Sequence, residues 1–252
     1  MISEKGDEES TVNLLWTGGW DSTFRLLQII FEENRKVQPF YIVDLSRKSW
    51  RVEIITMHEI KSFLAKQFPD ESELINPTII FDKGDIIFDD EIVKAWNNIK
   101  KKRHIGKQYV WLASFIKARG IKNMEISIEN RENFQNRNSS LIAHLQEDKI
   151  TSDEKTIFKY FSLPIKSLTK NDMAKISEEK NWKEILDRTW FCHHPLPNPF
   201  NKRTPCGVCN PCRVAVEEGF GHKIPAINRV AGKWVKAIYN SKLFNKLRLA
   251  IL

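Results

Sequence analysis

A strand that runs into a glycine pair and then a helix leaves a chain few folds to adopt. The apolar run Val12-Asn13-Leu14-Leu15-Trp16 is followed by Thr17-Gly18-Gly19-Trp20-Asp21-Ser22-Thr23, after which Phe24, Leu27 and Phe31 recur at helical spacing. This pattern predicts a buried strand, a tight turn and a helix. Two adjacent glycines let the backbone reach positive φ and bring its N–H groups close to a ligand, with no Cβ in the way. The free N–H groups of the helix's first turn add donors and partial positive charge, which suits phosphate or pyrophosphate. Thr17, Ser22 and Thr23 bring hydroxyls to the same place. Asp21 either caps the helix or holds a metal ion that bridges to a phosphate, and the sequence leaves both open. The stretch is neither the nucleotide loop with a lysine before its Ser/Thr nor the dinucleotide fingerprint with three spaced glycines.

The strand-helix order continues. Gln38 to Asp44 reads as a second strand, Val52 to Gln67 as a helix with Ile55, Glu59, Phe63 and Lys66 setting its amphipathic pattern, and Pro77 to Phe81 as a third strand. Ile86 to Arg119 is helical in pattern, broken near Arg103-His104-Ile105-Gly106, with Gly120 as its C-terminal cap. Asn123 to Ile128 is a further strand, Leu141 to Leu145 a short helix, Thr156 to Phe161 a strand, and Asn171 to Lys180 a helix capped by Asn171 or Thr169. The expected fold is α/β: a doubly wound, mostly parallel sheet with helices on both faces and ligands at the carboxyl ends of the strands. The expected domains are residues 1–185, an α/β domain that carries the phosphate-binding glycine loop, and residues 186–252, a metal-binding module with a basic tail.

All four cysteines fall late. Cys206-Gly207-Val208-Cys209-Asn210-Pro211-Cys212 is two overlapping C-x-x-C units, and Cys192 supplies a fourth sulfur across a proline-rich loop. Four thiolates make the closed tetrahedral shell of structural zinc. His193 or His194 in place of Cys192, and an iron–sulfur cluster in place of zinc, are alternatives that the spacing leaves open. The net charge of +8, with a pI near 9.2, favours acidic partners. From Arg229 to Leu252 there is no acidic residue. No run is long enough to span a membrane, and Met1 to Ser10 lacks an apolar signal core, so a cytoplasmic chain without a membrane partner is expected.

Thr17 to Ser22 resembles the SGGxDS signature of the PP-loop ATP pyrophosphatases, a Rossmann-like fold, with threonine where that family has serine. Together with the Cys…C-x-x-C-x-x-C cluster it resembles the QueC family, the 7-cyano-7-deazaguanine synthases. Asp44, Arg51 and Glu53 are similar to that family's D-Y-G-Q-R-H…E segment, Leu168 to Met173 to its segment with a lysine at a helix start, and Thr189-Trp190-Phe191-Cys192 to its T-W-S-C. The chain departs from the family at Ile105-Gly106-Lys107-Gln108, at Phe134 to Ser140, where no D-C-R is found, and at Arg213, which directly follows Cys212.

The resemblance implies a ligase. A carboxylate, 7-carboxy-7-deazaguanine or a similar deazapurine acid, attacks the α-phosphate of ATP, pyrophosphate leaves, and an amine displaces AMP. It implies Asp21, Ser22 and Lys170 as catalytic residues. It gives Thr17, Gly18, Gly19, Asp21, Ser22, Thr23 and Asp44 to ATP and Mg²⁺, and Cys192, Cys206, Cys209 and Cys212 to Zn²⁺. It also implies a homodimer. QueC-like proteins of antiphage operons suggest a diverged role, joining the acid to an amine of an acceptor protein. A binding module that docks RNA or protein through the basic tail is the non-enzymatic alternative.

Overall fold

In the computed structural model, which describes residues 11–130, 145, 150–197 and 203–239, strand β1 (Val12–Leu15) occupies the middle of a five-stranded sheet. Its neighbours are β2 (Val37–Val43) on one side and β4 (Met124–Glu125) on the other; β3 (Ile79–Asp82) lies outside β2 and β5 (Phe161–Ser162) outside β4. Every pairing is parallel. Parallel strands need covered crossovers and both faces buried. β2 meets that requirement with a near-continuous apolar run in which Phe40, Tyr41, Ile42 and Val43 are all buried. The edge strand β3 leaves Ile79 and Ile80 exposed.

The order β3-β2-β1-β4-β5 reverses direction between β1 and β4. Such a switch point opens a crevice beyond the strands' carboxyl ends. The glycine loop leaves β1 at this point and leads into α1 (Trp20–Leu27), which runs on through a π-helical turn over Gln28–Glu32. Phe24, Leu26, Leu27, Ile29 and Ile30 form its buried face. Arg25 is buried as well and bridges α1 to β4: its Nε and Nη2 donate to the two carboxylate oxygens of Glu125 at 2.7 and 3.1 Å, and Nη1 reaches Glu33. Burial works against the guanidinium's charge, yet the bonds to Glu125 and Glu33 outweigh it and hold the group above its ordinary range.

Helix α2 (Trp50–Gln67) forms as expected, but its buried stripe is Met57, Ile60 and Leu64, while Ile55 is exposed. After the short α3 (Pro69–Ser72) come α4 (Asp90–Lys102) and α5 (Gln108–Arg119), broken where the sequence foresaw, with Gly120 at φ 63° as C-cap. The residues read as a strand from Thr156 to Phe161 are instead mostly helix α6 (Ser152–Phe158), and the strand is delayed to β5. A capping box decides this. Thr151 Oγ1 accepts from the Glu154 N–H at 3.3 Å, and the Glu154 carboxylate accepts from the Thr151 N–H at 2.7 Å. The helix then buries Ile157 and Phe158 against Ile92, Ala95 and Ile99 of α4 and Val110 and Ala113 of α5. β4 is shorter than the expected Asn123–Ile128, and the expected helix at 141–145 falls on a stretch of which only Leu145 is described. Two helices follow, α7 (Lys170–Glu179) and α8 (Lys183–Leu186).

The chain divides into two compact units, Met1–Leu45 with Thr56–Thr189, and Ser46–Ile55 with Trp190–Leu252. The first holds the sheet. The second contains the hairpin β6 (Leu196–Pro197) with β7 (Arg203–Thr204), then α9 (Asn210–Glu217) and α10 (Ala226–Tyr239). The tail beyond Tyr239 lies outside the described residues.

Candidate functional site

Two clusters carry chemistry, one in each unit. The first lies at the carboxyl edge of the sheet. Trp16 closes β1 by donating its N–H to the Phe40 carbonyl at 2.9 Å, and the chain then turns at Gly18, whose φ of 67° favours a residue without Cβ. Gly19 is the N-cap of α1, and no side chain caps the helix. The capping role open to Asp21 is therefore not taken. The helix thus starts beside the turn with no side-chain cap from its N-cap residue, as an anion site requires.

The hydroxyls divide. Ser22 Oγ sits inside the loop, donating to the Gly19 carbonyl at 3.3 Å and lying 3.4 Å from both the N–H and the Oγ1 of Thr17. Thr17 Oγ1 in turn accepts from the Gly19 N–H at 3.4 Å. These are long bonds that a stronger acceptor can replace. Thr23 is different. It is fully buried, and its Oγ1 accepts from the Trp16 indole at 3.0 Å, so this hydroxyl serves the core.

Asp21 finds its partner far away in sequence. Lys170 is the first residue of α7, where a second capping box fixes the backbone: the Thr169 hydroxyl accepts from the Asp172 N–H at 3.2 Å, and Asp172 accepts from the Thr169 N–H at 2.9 Å. The Thr169 hydroxyl and N–H hold the Asp172 carboxyl below its usual range. From this fixed start the Lys170 ammonium pairs with Asp21, lies 3.2 Å from Glu129 Oε2 and sits 4.9 Å from the centre of the Trp20 ring. Glu129 is buried, Asp21 more open. Glu129 is a site residue that the sequence reading did not single out. Its signal was a lone carboxylate at the end of the apolar run Ile126-Ser127-Ile128.

Asp44 follows β2 and belongs to a separate ion pair, with Lys83 Nζ at 2.7 Å. Lys83 also lies 5.9 Å from the Trp111 ring. The carboxyl edge thus presents Thr17, Gly18, Gly19, Asp21 and Ser22 with Lys170 and Glu129 at the switch point, and Asp44 with Lys83 after the two strands on one side.

The second cluster is the cysteine quartet. The Sγ atoms of Cys192, Cys206, Cys209 and Cys212 all lie within 4.8 Å of one another, and neither His193 nor His194 belongs to the group. Tetrahedral ligands about 2.3 Å from a zinc ion stand roughly 3.8 Å apart; here Cys209 Sγ is 3.4 Å from Cys212 Sγ and 3.9 Å from Cys192 Sγ, and Cys206 Sγ is 3.9 Å from Cys212 Sγ. Backbone N–H groups orient the sulfurs, Cys206 N–H to Cys192 Sγ at 3.2 Å and Cys209 N–H to Cys206 Sγ at 3.4 Å. Gly207, at φ 77°, makes the turn between them. Hydrogen bonding with Cys192 and Cys212 pulls the Cys209 thiol down, while the bond to Cys209 pushes Cys192 up to about 12. Four sulfurs this close ionise together when a cation shares their charge.

Among the described residues, no helix is long and apolar enough to cross a membrane. The sequence matches no protein-family model and no curated protein.

Proposed function

We propose that the chain is a QueC-like ATP-dependent C–N ligase, which activates a carboxylate by adenylation. The observation that carries this reading is the meeting of Lys170 with Asp21 at an uncapped helix start, on the switch point of a parallel sheet, across 149 residues of sequence. In this reading the N–H groups of Gly18, Gly19 and the first turn of α1, with the Thr17 and Ser22 hydroxyls, receive the β- and γ-phosphates. Lys170 adds positive charge where negative charge grows on the departing pyrophosphate. Asp21 is the residue to hold Mg²⁺, which supplies charge neutralisation for the phosphates. Asp44, after β2, is the residue offered to the nucleoside.

The acid's carboxylate oxygen bonds to the α-phosphorus, and the bond to the β-phosphate oxygen breaks with its electron pair leaving on pyrophosphate. An amine nitrogen then bonds to the activated carbonyl carbon, AMP departs and the amine loses a proton. With 7-carboxy-7-deazaguanine and ammonia the product is the amide, and a second ATP-dependent dehydration gives 7-cyano-7-deazaguanine. No side-chain nucleophile is needed. The quartet fits structural Zn²⁺, since four sulfurs leave no open position.

The experiment is incubation of the full chain with ATP, Mg²⁺, ammonium and 7-carboxy-7-deazaguanine, followed by mass analysis. Amide or nitrile formed with stoichiometric AMP is the expected result. Acid recovered unchanged in the presence of intact ATP contradicts the reading. An adenylate that accumulates until a protein amine is added indicates the conjugating role instead.

A further inference from the structure

Helix α10 presents three unlike faces. One is given to the cysteine turn, in a contact that admits no side chain: a Cβ on Gly207 would lie 2.1 Å from the Asn228 carbonyl oxygen, and one on Gly232 would lie 2.1 Å from the Gly207 carbonyl oxygen. Asn228 Nδ2 adds a bond to the Pro205 carbonyl at 2.8 Å. Backbone against backbone, with a side-chain bond beside it, fixes the roll of the helix. The second face carries Arg229 and Lys233. The third carries Ile227, Val230 and Trp234, at i, i+3 and i+7, which are 78%, 52% and 68% exposed.

Three large apolar side chains in an exposed row call for a partner. The charge says what kind. From Arg229 to Leu252 the sequence has six Lys and Arg and no acidic residue, and residues 240–252, outside the described part, contribute three of those basic residues and six large apolar ones. A second copy would set like charge against like. RNA would satisfy the lysines but leave Ile227 and Val230 in water. A bilayer with anionic head groups offers negative charge above an apolar interior, and a convex helix meets it without needing a groove.

We propose that α10 is a docking element for an anionic membrane surface, lying in the interface with Ile227, Val230 and Trp234 turned to the acyl boundary. The expected absence of a membrane partner rests on the lack of a bilayer-spanning run; a helix lying in the interface has no such length requirement.

The test is co-sedimentation of the full chain with vesicles of phosphatidylcholine alone and of phosphatidylcholine mixed with phosphatidylserine. The expected result is binding to the mixed vesicles that weakens as salt rises and is much weaker on the neutral ones. Ile227→Ser with Trp234→Ser should lower binding by roughly tenfold or more, while metal content and far-UV circular dichroism stay unchanged. The salt titration of the unaltered chain needs no variant and guards against misfolding. Equal binding to both vesicle types, retention of the doubly altered chain on the mixed vesicles, or salt-sensitive capture of single-stranded RNA without vesicle binding would each overturn the proposal.

Discussion

The cysteine quartet and the glycine-loop site are assembled on opposite plans. The quartet draws every ligand from between residues 192 and 212, and its geometry rests on local turns and on N–H groups aimed at sulfur. The loop site draws Asp21, Glu129 and Lys170 from three distant stretches that only the finished sheet brings together. A local cluster is a property of its sequence. A distributed site is a property of the fold, and it inherits every weakness of the elements that hold it.

Removing a sulfur breaks the comparison most severely. Cys209→Ser, or chelation of the wild type, should unfold the second unit, because metal binding free energy is folding free energy in such sites and amounts to about 10 kcal/mol or more in small zinc domains. Loss of metal measured together with loss of α9 and α10 by hydrogen exchange is the expected outcome. Sheet protection that persists under chelation would show the units to be separate in energy.

Arg25→Ala attacks the distributed plan. It leaves Glu125 without its guanidinium partner at the joint between α1 and β4, while Glu33 keeps Arg35 at 3.3 Å, and a broken buried pair costs about 3–5 kcal/mol. Denaturant midpoints should fall accordingly, with metal content retained. A smaller loss, about 1 kcal/mol, is expected for Thr169→Ala, which removes the cap from which Lys170 projects. Its sharper signature is in the site: the Asp21–Lys170 pair should loosen before the fold does.

The smallest effect is a pH dependence. Burial pushes the Glu154 carboxyl up, but the Thr151 N–H, the Arg103 guanidinium and the Thr151 hydroxyl outweigh it and leave it below its ordinary 4.5. A depressed carboxyl stabilises the fold above its unfolded value and loses that contribution as pH falls through the folded one. Stability of the wild type should therefore drop more between pH 5 and the acid limit than that of Glu154→Gln. Parallel curves for the two would contradict this assignment.

What the sequence disclosed follows the same division. The strand, glycine loop and helix, the two C-x-x-C units, the break before α5 and the Gly120 cap are written in neighbouring residues, and all stand in the structure. Thr156 to Phe161 misled because its aromatic and β-branched residues suit a strand, while the deciding Thr151–Glu154 cap lay upstream of the run. Thr23 looked like a phosphate ligand from its position alone; the Trp16 indole that claims it is visible only in three dimensions. Glu129 had no neighbour in sequence to mark it, and nothing next to Gly232 in the chain announces the Gly207 carbonyl that packs against it. Pairings across the sheet were out of reach of any local pattern.

The central claim is that the switch-point cluster activates a carboxylate with ATP. Its most direct measurement is exchange of labelled pyrophosphate into ATP by the full chain, with and without 7-carboxy-7-deazaguanine, compared with Asp21→Ala. Exchange that requires the acid and disappears in Asp21→Ala, with metal content and secondary structure unchanged, is the expected result. Exchange of equal rate in Asp21→Ala, or none in the wild type at any acid concentration, would contradict it.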